Sequence, residues 1–406
     1  MIAERALYDL QNELTFSRNV YRGYNSEFKA VGRFKKGASV PIMLPNKFRA
    51  KDGATLDVVD VYERSTTVSV DSQKHVAWDF LESDLTFKIE DFSAKYIRPA
   101  CITLGNVVDY DGMGEYVNVP NLVGTPGTPP STFQVLADVA ERMDNEAIVR
   151  EGRVCTLSPK AHWAMAAGEL KGVFQQQMVD TLLRKGFIGR FAVMDFFMDQ
   201  NVRSHTVGTW DAGSTGVMNG ATAEGATSLV TNGWAASTVI LQKGDVITIA
   251  AVYAVNPISG VAWEGQQLRQ FVVTSQVTSG AGGAATIPIW PTIYSSAATE
   301  TYLPYQSIVT LPQNGAAITV VGSDATAYPQ NIAHHPNAFA LTMVPFAKPK
   351  SAGQSVMWAG ANDPQLGLSI TVATAFDIVY YKEVTRLDIL YGWDTIEPNY
   401  AVRITG

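Results

Sequence analysis

Cysteine is almost absent: two thiols, Cys101 and Cys155, stand among 406 residues. Two cysteines cannot staple a chain of this length, which excludes a disulfide scaffold and fits a reducing compartment, with both thiols expected as small buried apolar groups. Long apolar runs are lacking too. The longest candidate, Val246–Ile258, is interrupted by Asn256 and Pro257 and is too short to span a bilayer. Glu4 and Arg5 stand where a secretory leader would carry its apolar core, and no Asn-x-Ser/Thr sequon occurs. A soluble chain made in the cytoplasm is expected. Catalytic and phosphate-binding signatures are missing as well: there is no G-x-x-x-x-G-K-[ST], no H-E-x-x-H, no C-x-x-C and no G-x-S-x-G. Gly112 and Gly114 lack the third glycine of a dinucleotide loop. Of five histidines, His334 and His335 are adjacent, and neighbours in sequence do not face one way on a helix or strand, so packing is favoured over metal ligation.

What is present is a core-forming composition, with 46% apolar and 17% charged residues and a net charge of −7. Charge is unevenly spread. Residues 208–330 hold eight charges in 123 residues, against 61 in the other 283, and this segment is rich in Gly, Ser, Thr, Ala and Val. Such a composition step marks a domain inserted into a more charged host. Its short β-like runs (ASTVIL, DVITIAAVYAV, RQFVVTSQV, ATIPIW, SIVTL, AAITVVG), punctuated by turn residues, predict an antiparallel sandwich or small barrel. Trp210, Trp234, Trp263 and Trp290 fall there; core packing is favoured over a sugar-binding platform. Asp245, in Lys243-Gly244-Asp245 before a strand, is read as a turn or capping residue.

The host segments carry their own patterns. Ala3, Ala6, Leu7, Leu10 and Leu14 form a helical stripe. The basic run Arg18–Lys36 interleaves Tyr21, Tyr24, Phe28 and Phe34; an arm packing its rings on a neighbouring surface is favoured over a nucleic-acid site because the chain as a whole is acidic. From Ala38 to Val76, alternating and β-branched residues with Asp52-Gly53 predict a long exposed hairpin, which has little core of its own and needs a partner surface. A helical pattern runs from Phe92 to Val108, with Pro99 marking a kink or the junction of two segments. Residues 131–207 read as an α/β unit in which Ser131 and Thr132 cap one helix and Ser158-Pro159 opens another.

Four stretches, in order, resemble one family. LQKGDVITIAAVYAVNPISG with LRQFVVTSQV resembles the insertion domain of tailed-phage major coat proteins of the short-tailed Salmonella-phage type, and LPQNGAAITVVGSDATAYPQNIAHHPNAFALTMVPF resembles the re-entry into the capsid core. SVDSQKHVAWDFLESDLTFKIEDFSAKYIRPACITLGNVVD is similar to the stretch leading into the family's spine helix, and RLDILYGWDTIEPNYAVRI to its C-terminal signature. Ala251 stands where the resemblance implies glycine.

The resemblance implies an α+β, Hong Kong 97-like capsid fold with an inserted antiparallel β-barrel. It implies an N-terminal arm at 1–35, an extended β loop at 36–77 and a peripheral domain with a spine helix at 78–125. An axial domain at 126–207, the inserted barrel at 208–332 and return strands completing the axial and peripheral domains at 333–406 follow. The implied function is a major capsid protein, not an enzyme and without cofactors, that self-assembles into an icosahedral shell enclosing a double-stranded DNA genome. Implied partners are other copies in hexamers and pentamers, a scaffolding protein, a portal protein and weakly held DNA, with no membrane. Assembly is expected in the host bacterial cytoplasm, and shell stability from many modest contacts. Candidate subunit-interface residues are Arg18, Arg22, Lys47, Arg49, Lys51, Asp57, Asp60 and Glu63, with a solvated hairpin surface as the alternative. The rival readings are a virion decoration or glycan-binding β protein and a glycoside hydrolase with an unrecognised carboxylate pair.

Overall fold

A computed structural model of the chain describes residues 2–24, 37–51, 53–54, 58–80, 93–167, 190–211, 214–346, 356–363, 367–377 and 382–406. These group into two units: Met1–Ile42 with Ser65–Met113 and Phe339–Ile396, and Met43–Arg64 with Gly114–Ala338 and Glu397–Gly406.

In the first unit the stripe at residues 3–14 becomes helix α1, Ile2–Glu13, which buries Ala3, Ala6 and Leu10, with Leu14 buried just beyond it. It packs on helix α2, Arg98–Gly112, whose apolar stripe buries Ala100, Cys101, Leu104 and Val108. Pro99 lies in the first turn of α2, where its missing N–H costs nothing, and a π-helical turn, Ser93–Ile97, precedes it; two segments meet there. Contact is close: a Cβ on Gly105 would lie 3.4 Å from the Glu13 Cβ. The Cys101 thiol donates to the Ala6 carbonyl at 3.3 Å. Burial, with Asp9 and Glu13 nearby, pushes that thiol up to about 12, so it is an inert packing group.

The sheet of this unit is organised on the strand Lys382–Thr395. Leu368–Asp377 and Ser72–Phe80 pair antiparallel with its first two-thirds, Phe339–Met343 with its end, and Val356–Asp363 adds to Leu368–Asp377. Phe16 packs between Phe339 and Trp393, at ring distances of 5.8 and 5.6 Å, and Trp393 Nε1 donates to the Val108 carbonyl at 3.1 Å. Phe16 thus belongs to the chain's own core. Tyr21 N donates to the Phe339 carbonyl and Leu341 N to that of Tyr21, so the start of the basic run is tied to its own unit. Phe28 and Phe34 lie outside the described residues.

The second unit holds a mixed sheet in the order Asn121–Val123, Ala401–Thr405, Ala327–His334, Arg153–Leu157, Met194–Met198, Arg190–Phe191, with Ser204–Thr206 pairing the start of Ala327–His334. Helix α3, Phe133–Asn145, presents Leu136, Val139 and Met143 to it, and helix α4, Pro159–Ala167, presents Ala161 and Met165. Arg153–Leu157 is buried at every position, as a strand covered on both faces should be. Thr132 occupies the α3 cap position without a side-chain cap bond, whereas Ser158 Oγ accepts from Ala161 N at 3.3 Å. His334 is fully buried, and desolvation pushes its imidazole down to about 4.

The low-charge segment closes on itself. Strands run in the order Ile318–Val320, Val246–Tyr253, Leu268–Val273, Ala285–Ile293, Ala226–Asn232, Val217–Met218, and a bridge between Val217 and Ala317 joins the last strand back to the first. The closing bonds are Met218 N to the Ala316 carbonyl at 2.9 Å and Ile318 N to that of Gly216 at 2.8 Å. Closure removes the open edges that would otherwise template aggregation. Leu229, Ile247, Ile249, Phe271, Ile287, Ile289 and Ile318 fill the interior. Trp234 and Trp263 are buried and Trp210 packs on the core, the packing role expected from the sequence. SIVTL is not a strand: Ser307 and Ile308 are fastened to the Tyr294 carbonyl, and Ile308 makes only one bridge, to Ala254.

Ala251 explains its own oddity. It lies at φ +61° in the register shift between Thr248 and Tyr253, a left-handed position that glycine occupies without strain. Ala251→Gly is expected to stabilise the barrel by up to about 1 kcal/mol, strain relief of about 1–2 kcal/mol being partly offset by a more flexible unfolded chain. Urea unfolding of the two proteins checks the sign.

An anchored loop as the candidate subunit interface

The predicted hairpin is a hairpin only at its base. Ala38–Met43 pairs with Ser65–Val70, and within the second unit one further bond, Leu44 N to the Arg64 carbonyl at 2.9 Å, continues the ladder. Beyond it the described residues of 45–63 form no strand. NKFRAKDGAT and LDVVDVYE were expected to pair. Their described residues are fastened to the barrel and form no ladder with each other.

The fastening is aromatic and cationic. Tyr305 Oη accepts from Lys47 N at 3.2 Å and donates to the Tyr62 carbonyl at 3.0 Å, so one phenol clamps both sides of the loop. The Tyr62 ring meets Tyr302 and Tyr305 edge-on at 5.2 and 5.6 Å, and Tyr302 stacks on Tyr294 at 5.1 Å. The Arg64 guanidinium lies 5.3 Å from the Tyr305 ring centre and pairs with Glu397 at 2.5 Å. Arg49 donates to Gln306 Oε1 at 3.4 Å and to the Ser259 carbonyl at 3.1 Å. Lys51 pairs with Glu300 at 3.2 Å, both well exposed, a contact worth about 0–1 kcal/mol.

The candidate interface residues therefore separate. Lys47, Arg49 and Lys51 are brought together on the chain's own barrel. Asp60 and Glu63 are exposed and form no ion pair among the described residues; Asp57 lies outside them. Arg18 is exposed on the first unit. Arg22 is partly buried there, its guanidinium held below its usual range by burial and by Arg18, against the attraction of Asp363. Charge patterning alone missed the apolar members of the loop: Met43, Phe48, Val58 and Val61 are 71, 75, 79 and 49% exposed. Phe48 lies in NKFRAKDGAT and Val58 and Val61 in LDVVDVYE, stretches read as parts of the hairpin.

The described residues form an α+β core with a nearly closed inserted barrel and an anchored loop. The family is specific. The family model described as "P22 coat protein - gene protein 5" matches residues 9–406, and the chain belongs to that family. No curated protein sequence matches it. Solved structures similar to the chain include one from Mycobacterium phage Che8, at 12% identity and a TM-score of 0.49, covering 96% of this chain and 90% of that one. The capsid of Ralstonia phage GP4 matches at 8% identity and a TM-score of 0.42, over 91% of this chain and 84% of that one. A virus-like particle from Pyrococcus furiosus matches at 8% and 0.37, over 99% and 98%. The chain is a major capsid protein, a structural component of the virion that self-assembles into an icosahedral shell and not an enzyme. The glycan-binding and hydrolase readings are set aside.

Proposed function

We propose that the shell encloses a double-stranded DNA phage genome and that residues 43–64 reach from each subunit across a neighbour in hexamers and pentamers. The observation that carries this reading is the exposed apolar set Met43, Phe48, Val58 and Val61 on a loop fastened to its own barrel at Lys47, Arg49, Lys51 and Tyr62. Large apolar groups exposed along one segment favour an interaction surface. Burying a Phe or Val side chain contributes about 1.5–3 kcal/mol, and a shell repeats that gain at every subunit. Asp60, Glu63 and Arg18 are the free charges left to set register at the contact. Lys47, Arg49 and Lys51 support the contact from behind by holding the loop in its projecting course. A scaffolding protein and a portal complete assembly in the bacterial cytoplasm, and an acidic chain holds packaged DNA weakly.

The double variant Phe48→Asp, Val58→Asp tests the loop. Neither side chain belongs to a core, so the subunit is expected to fold with an unchanged unfolding midpoint but to give no stable shells by sedimentation and electron microscopy. Shells at wild-type yield would remove the loop from the interface.

A further inference from the structure

The loop base and the barrel line a half-open cavity of about 160 Å³. Its wall carries three cations, Lys47, Arg64 and Arg269, and one anion, Glu146. Arg64 is already paired with Glu397, and Arg269 with Glu146. Lys47 forms no ion pair among the described residues, and it has lost much of its hydration: burial, with Arg64 and Arg269 nearby, holds its ammonium below the usual lysine range against the pull of Glu397 and Glu146.

Donors are also left over. Arg269 is only 2% exposed; its two terminal nitrogens reach Glu146 and Asn399, yet its Nε–H has no acceptor among the described residues, and neither has the Nε–H of Arg64. Buried cationic donors without acceptors are costly. The surplus of positive charge and the unmet donors share one remedy, a group that brings negative charge and several acceptor oxygens. Size narrows the choice. The space open to water centres, about 160 Å³, is room for several waters and so for one tetrahedral oxyanion beside the three cations.

We propose that this cavity binds one small inorganic oxyanion, phosphate or sulfate, between Lys47, Arg64 and Arg269. The bound ion bridges a loop residue on each side to the barrel strand Leu268–Val273, so it stiffens the loop in its projecting course.

The test is titration calorimetry of inorganic phosphate into the purified full-length subunit, at ionic strength held constant with chloride. Saturable binding of one phosphate per chain, with competition by sulfate, is expected. Lys47→Gln is expected to weaken it at least tenfold, about 1.4 kcal/mol. Lys51→Gln, outside the cavity wall, leaves it unchanged, and circular dichroism in chloride checks that both variants fold. No saturable binding above the chloride control, or equal binding by the two variants, would overturn the proposal. Displacement of phosphate by a short DNA duplex in a Lys47-dependent manner would overturn the assignment to a small ion.

Discussion

Asp245→Ala is expected to lower the stability of the barrel-bearing unit by about 4 kcal/mol, from two or three buried groups left unpaired at about 1–3 kcal/mol each. Asp245 is 1% exposed. One carboxylate oxygen accepts from Gln242 N at 2.7 Å and Gly208 N at 3.1 Å; the other accepts from His205 Nε2 at 2.7 Å. Tyr116 Oη lies 3.1 Å from the other ring nitrogen, and Arg403 donates to the neighbouring Gly244 carbonyl at 2.8 Å. One side chain therefore ties the segment entering the barrel, the turn before its strand Val246–Tyr253 and the middle of the strand Ser204–Thr206. Alanine leaves two amides and an imidazole buried without acceptors. Asn keeps one carbonyl oxygen, so Asp245→Asn is expected to cost about half as much. Urea unfolding measures the loss, and hydrogen exchange at the Gln242 and Gly208 amides locates it. Unchanged exchange there would separate Asp245 from barrel anchorage.

The second large effect is expected in the first unit. Asp109, 2% exposed on α2, accepts from Thr15 N at 2.7 Å, Phe16 N at 3.2 Å, Ser17 N at 2.9 Å and the Ser17 hydroxyl. A single carboxylate thus satisfies the turn that follows α1 and seats Phe16 against Phe339 and Trp393. Asp109→Ala is expected to cost about 3–5 kcal/mol, because hydrogen bonds to a charged acceptor are worth about 1.5–3 kcal/mol each and three amides lose theirs together. The N-terminal segment should then come loose while the barrel does not, with trypsin cutting at Arg18 many times faster than in the wild type. Equal cleavage rates would show that α1 is held by its apolar stripe alone.

These two carboxylates show where the sequence was legible and where it was not. Local signals carried well: the stripe of α1, the turn-punctuated strands of the barrel and the charge deficit of its surface each follow from residues close in the chain. Asp245 was readable as a turn residue for that reason, since Gln242 is three positions away. Its bond to His205, 40 positions away, was not. Asp109 had no local signal at all, because its partners lie 92 to 94 residues upstream. The loop failed in the same way. Alternating charged and apolar residues predict a ladder, but Tyr305, 258 positions from Lys47, bonds to both sides of the loop, and nothing in residues 38–76 announces it. Charges were consequently assigned to a neighbouring subunit when two of them, Arg49 and Lys51, bond to the chain's own barrel, and the exposed apolar residues between them were overlooked.

The central claim is that this chain builds a closed shell. The most direct measurement is electron microscopy of the full-length chain expressed with the scaffolding protein of its phage, followed by reconstruction of the particles. Closed icosahedral shells of uniform diameter, with this chain as the repeating subunit and residues 43–64 lying on an adjacent copy, are the predicted result. A folded chain that stays monomeric at every concentration, or shells in which the loop touches no other subunit, would contradict the account.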